Sequence, residues 1–144
     1  MKKAILAALM MATPAFAVEP IYKTQGLGLS GYDPVAYFSD KAPVKGRAEF
    51  QAEWGGAKWL FKSAENRSTF LAAPAKYAPQ YGGYCSFGVS RGHSAPGDPS
   101  AWKVVNGKLY VNNSKKVQEL WEKELPDVIA RGDQAWPGVL KSSN

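Results

Sequence analysis

Residues 48–73 read AEFQAEWGGAKWLFKSAENRSTFLAA. The first part alternates apolar and polar side chains and breaks at Gly55-Gly56, the pattern of a β-hairpin closed by a glycine turn. Phe50, Trp59 and Phe61 are then expected to face the core. Ser63 follows as the N-cap of a helix over AENRSTFLAA, with Phe70 and Leu71 on its buried face and Pro74 closing it. Hairpin and helix in direct succession, without a βαβ rhythm, point to an α+β fold.

The flanking sequence repeats this alternation. On the C-terminal side, WKVV and KLYVN are joined by Asn106-Gly107, a strong short hairpin signal. From Ser114 the segment KKVQELWEKEL sets Val117, Leu120 and Trp121 at helical spacing, with Leu125 next before Pro126 interrupts. A short helix is expected from Asp127 to Arg131, stopping at Gly132. WPGVL, Trp136 to Leu140, is read as docking the C-terminal segment onto the core rather than as offering a partner surface. On the N-terminal side, SGYDPVAYF, Ser30 to Phe38, is a turn leading into a short apolar segment, since Pro34 disfavours helix at Asp33. The expected architecture is one small domain of antiparallel hairpins packed with two to four short helices.

The chain opens MKKAILAALMMATPAFA: two lysines, an apolar run and a small-x-small pattern at Ala15-Phe16-Ala17. This reads as a signal peptide over residues 1–17, cleaved after Ala17, with a single domain over residues 18–144. The run is too short for a spanning helix, and no later segment approaches the roughly 20 apolar residues a bilayer requires. The expected location is periplasmic or secreted. Loss of Lys2 and Lys3 brings the formal charge from +6 to +4 with the signs interleaved, which disfavours nucleic acid as a partner. The glycines of GLGLSG lack the spacing of a dinucleotide loop, and no phosphate or flavin motif is present.

The three methionines, Met1, Met10 and Met11, all fall within the leader. The remainder of the chain offers one thiol, Cys85, and one imidazole, His93, so one copy cannot complete a tetrahedral Cys/His site. Both lie in YGGYCSFGVSRGHSAPGDPSAW, Tyr81 to Trp102. Two readings of this stretch stand side by side. In one, Cys85 is a thiolate nucleophile with His93 as base and Asp98 orienting the imidazole, brought together by glycines 82, 83, 88 and 92. In the other, Cys85 is a small buried hydrophobe between Tyr84 and Phe87, and His93 is a loop residue bonded to backbone. Tyr81, Tyr84, Tyr32 and Tyr37 are grouped as a candidate aromatic lining for a small ligand. Glu122 and Glu124, among Lys115, Lys116 and Lys123, read as a solvated helix face.

YDPVAYF, FKSAENRSTFLAAPAKY and YGGYCSFGVSRGHSAPGDPSAWKVVNGKLYVN together resemble the YHS-domain family in its exported bacterial form, from about Leu29 to Leu140. Better-known members are cysteine-bearing modules attached to copper-transporting ATPases, so the resemblance implies metal binding or sensing. The thiols that role uses are missing here. Ala36 follows Asp33-Pro34-Val35 where those members carry cysteine, and Phe61-Lys62-Ser63 replaces their Phe-Cys-Ser.

These readings lead to three functions. The first is an exported binding module without turnover, holding copper, zinc or a small ligand near Cys85 and His93, with Asp98 as an oxygen ligand or a second copy completing the set. The second is a thiol-dependent enzyme or redox sensor using Cys85 with His93. The third is an interaction domain whose aromatic surface meets another protein of the cell envelope.

Overall fold

The computed structural model describes residues 17–142, so the leader read over residues 1–17 lies outside the described residues except for Ala17. The fold is α+β, with two separate sheets and several short helices. Near the N-terminal end, β1 (Lys23–Thr24) and β2 (Leu27–Gly28) form a small antiparallel pair. A single 3-10 turn then leads to α1 (Ala36–Ser39). The expected glycine hairpin comes next as β3 (Arg47–Trp54) and β4 (Ala57–Phe61), and one parallel bridge, Leu27 to Lys58, joins the two pairs in the order β1-β2-β4-β3.

Helices α2 (Ala64–Ala72) and α3 (Pro74–Tyr77) succeed the hairpin. The Ser63 hydroxyl accepts from the Asn66 amide at 3.1 Å, the N-cap that the sequence prescribes. Pro74 does more than end α2, because its fixed φ and missing N–H suit the first position of α3. Helix α4 (Ser86–Ser90) precedes the second hairpin, β5 (Asp98–Val105) and β6 (Lys108–Asn112), which turns at left-handed Asn106 and Gly107. Helices α5 (Lys115–Lys123) and α6 (Asp127–Lys141) complete the described chain. The one-turn helices α1, α3 and α4 are too short to leave a periodic signal in the sequence.

Strand β6 sorts the core into two clusters. Its side chains alternate, so Leu109 and Val111 enter the first cluster with Val35, Tyr37, Trp59, Phe61 and Phe70. Tyr110 points the other way, into a second cluster of Tyr81, Tyr84, Val89, Trp121, Val128 and Val139. Both faces of this five-residue strand are therefore covered, which explains its nearly continuous apolar run.

Two expected core residues face solvent instead. Leu71 is 51% exposed because α2 turns Asn66 and Phe70, one helical turn apart, toward the core, leaving the next residue about 100° round the helix. Leu120 is 42% exposed beside fully buried Trp121 for the same reason. The expected stop at Gly132 also fails, since α6 runs on to Lys141. Gly132 has no left-handed φ, and what it supplies is close approach: a Cβ there would lie 2.5 Å from the Tyr81 hydroxyl. Beyond it, Trp136 and Val139 pack on the second cluster, as docking of WPGVL requires.

Candidate functional site

The Asp33-Pro34-Val35 turn is organised by a carboxylate with 0% exposure. One oxygen of Asp33 accepts from the Val35 and Ala36 amides at 2.8 and 3.3 Å, and the other accepts from the Lys62 amide at 3.0 Å and Asn66 Nδ2 at 2.8 Å. A short side chain followed by proline is suited to this role, because it folds back onto the amides just downstream. The carboxylate thus fastens the start of α1 to the turn between β4 and α2, fixing where Tyr37, Phe38 and Lys41 stand. Nothing in the sequence signalled that this turn residue would be buried.

Cys85 is 2% exposed. Its thiol donates to Asn112 Oδ1 at 3.7 Å, and the same oxygen accepts from the Phe87 amide at 2.9 Å. Asn112 reaches this place because it lies two residues beyond Tyr110 and shares its face of β6. Ser86 Oγ and Asn112 Nδ2 are buried beside it with no hydrogen-bond partner among the described residues. His93 is exposed, and its amide donates to the Gly88 carbonyl at 2.9 Å. Asp98 is engaged locally, accepting from the Ser100 amide and hydroxyl, both at 2.8 Å.

The metal role implied by the resemblance can be tested against these contacts. Among the described residues, no group of three or more His, Cys, Asp or Glu side chains is placed to hold a metal ion. Ala36, where the metal-binding members carry cysteine, is buried and has no donor atom. The described residues therefore bring no metal cage together within one copy.

The four tyrosines are divided between the two clusters. Tyr81 and Tyr84 both lie against Trp136, with ring centroids 5.8 and 5.9 Å away. Tyr81 donates to Asp133 Oδ1 at 2.8 Å, and burial, then this bond, push its phenol well above the ordinary tyrosine range. Tyr84 donates to the Glu19 carbonyl at 2.8 Å. Tyr32 and Tyr37 belong to the first cluster, where Tyr37 donates to the Pro99 carbonyl at 2.7 Å.

Of the four, Tyr37 borders a cleft of about 350 Å³ between α1 and β5, lined by Tyr37, Phe38, Lys41, Trp102, Lys103 and Val104. Trp102 and Val104 pair with Val111 and Leu109 across the second hairpin, so they share the face turned toward the first cluster. Tyr37 meets Trp102 edge to face at 5.2 Å between centroids, leaving a floor of aromatic and aliphatic carbon. Tyr37 is held protonated, chiefly by burial, so the floor is uncharged. A hollow of about 520 Å³ also lies by the first hairpin turn, where Gly26, Gly55 and Gly56 share the wall with Glu53, Trp54, Ala57 and Lys58. Sequence reasoning singled out Tyr37 and missed the other five residues of the cleft. The alternation in WKVV was the one local sign that Trp102 and Val104 share a face.

Taken together, fold and cleft define a small α+β protein with an aromatic recess between α1 and β5. The family model described as YHS domain matches residues 35–81. That span holds α1, the first hairpin and the helices up to Tyr81, while Cys85, His93, Asp98 and the β5 wall of the cleft fall outside it. Comparison with curated proteins and with solved structures finds no match.

Proposed function

We propose that this protein is an exported binding module, of the kind the YHS resemblance suggests, that holds a small planar ligand without turnover in the cleft between α1 and β5. The observation that carries this reading is the cleft itself, a recess of about 350 Å³ with Tyr37, Phe38, Trp102 and Val104 as its floor. Its volume falls at the small end of the roughly 300–1,000 Å³ typical of ligand sites. The six lining residues include no histidine, cysteine or carboxylate. The phenol of Tyr37 is tied to a carbonyl, so the recess supplies contact surface without an acid–base pair.

Export is supported by the lysine-flanked apolar leader and its Ala15-Phe16-Ala17 ending. Expression in a bacterial host, with intact-mass measurement of the osmotically released fraction, should give a chain beginning at Val18. Retention of Met1 in the cytoplasmic fraction would refute export. For the cleft, planar one- and two-ring probes should shift the Trp102 indole N–H resonance, and Val104→Ala, which trims the floor without burying a charge, should weaken the shift with circular dichroism unchanged. If no probe moves that resonance at millimolar concentration, the cleft is not a ligand seat.

A further inference from the structure

Resting on that reading of the cleft, we infer that its ligand is a small aromatic monocarboxylate, with the ring on the Trp102 and Phe38 surface and the carboxylate on Lys41. The basis is an imbalance of charge at the rim. Lys41 and Lys103 line the cleft, and no carboxylate does. Lys103 is occupied, with its ammonium 3.5 Å from Glu122. Lys41 is exposed and forms no ion pair among the described residues. Its sequence neighbour Asp40 is committed elsewhere, accepting from Lys62 Nζ at 2.6 Å and Ser39 Oγ at 3.0 Å.

Trp102, which also lines the cleft, carries a second unused donor. The Trp102 indole N–H has no acceptor among the described residues, although its ring is packed against Tyr37. A ligand that stacks on carbon while accepting from one ammonium and one N–H matches this set. The lining does not suit a phosphoryl group, since it has no arginine fork, and the Val35 and Ala36 amides that open the short α1 already donate to Asp33. It also disfavours a cationic ring, because the unpaired charge at the rim is positive.

The experiment compares 1-naphthoate with 1-naphthamide, which have the same ring and differ in charge. Binding is monitored through the Trp102 indole N–H resonance, assigned by its loss in Trp102→Phe. Naphthoate should bind several-fold more tightly than naphthamide at low salt. In Lys41→Gln that preference should fall by about two- to fivefold, the range expected of a partly exposed ion pair, with naphthamide unchanged. Lys103→Gln, whose ammonium is already paired, should keep the preference. Equal binding of the two probes to the wild-type protein would overturn the ligand class and leave the cleft reading intact. A preference that survives Lys41→Gln would overturn the role of Lys41. Failure of both probes to move the Trp102 resonance would remove the cleft reading, and this inference with it.

Discussion

Replacing Asp33 by alanine removes the acceptor shared by four donors, three of them within 3.0 Å: the Val35 amide, the Lys62 amide and Asn66 Nδ2. The fourth, the Ala36 amide at 3.3 Å, contributes less. The site is fully buried, so the donors of the variant cannot turn to solvent without opening the turn. At about 1–1.5 kcal/mol net for each of the three short bonds, the loss is about 3–5 kcal/mol. That is a large share of the roughly 5–15 kcal/mol by which a domain of this size is stable. With a urea slope of about 2 kcal/mol/M, the unfolding midpoint should fall by about 2 M. Asp33→Asn keeps one acceptor oxygen and should lose about half as much, because its NH₂ group faces donors. Asn66→Ala should cost about 1–2 kcal/mol and be non-additive with Asp33→Ala in a double-mutant cycle. An alanine variant whose stability lies within about 0.5 kcal/mol of wild type would show that the carboxylate does not hold the turn.

Three other perturbations address the second cluster and the thiol. Gly132→Ala would place a Cβ 2.5 Å from the Tyr81 hydroxyl; despite alanine's better helix propensity, it should destabilise the fold by about 1–3 kcal/mol in urea unfolding, and a stabilised variant would contradict the packing. Tyr37, Tyr81, Tyr84 and Tyr110 are all raised above the ordinary value of 10.0, chiefly by burial. Above that pH the unfolded chain releases phenolic protons that the folded chain retains, so stability is fully present below it and declines as pH rises further. Urea midpoints measured from pH 8 to 12 should show this decline, less steeply in Tyr81→Phe, and an unchanged slope in that variant would exclude Tyr81 as a contributor. Cys85, 2% exposed, should resist iodoacetamide in the folded state and react promptly in urea; rapid alkylation of the native protein would restore the thiol-enzyme reading.

The elements legible in the sequence were those whose signals are local. Gly55-Gly56 and Asn106-Gly107 specify their turns through left-handed backbone, and alternation on either side fixes which residues face inward. Ser63 caps α2 because its hydroxyl needs only an amide three residues away. Leu71 and Leu120 were misplaced because helical spacing tolerates several apolar stripes, and only the neighbouring elements select one. Gly132 was read as a stop on composition, whereas its lack of a side chain makes room for Tyr81, 51 positions earlier in the chain.

The site divides in the same way. By itself the sequence established the chemical inventory, one thiol and one imidazole, together with the hairpins, most of the helical segments and the Asp-Pro-Val turn. Tertiary structure alone decided that Cys85 is buried against Asn112, that Asp33 binds the turn after β4, and that Lys41 and Trp102 line one cleft. Turns and caps depend on atoms a few residues apart, so composition and spacing reveal them. Burial, pairing of charges and the meeting of distant side chains depend on how the two sheets and their helices close over one another, and that closure is a property of the whole chain.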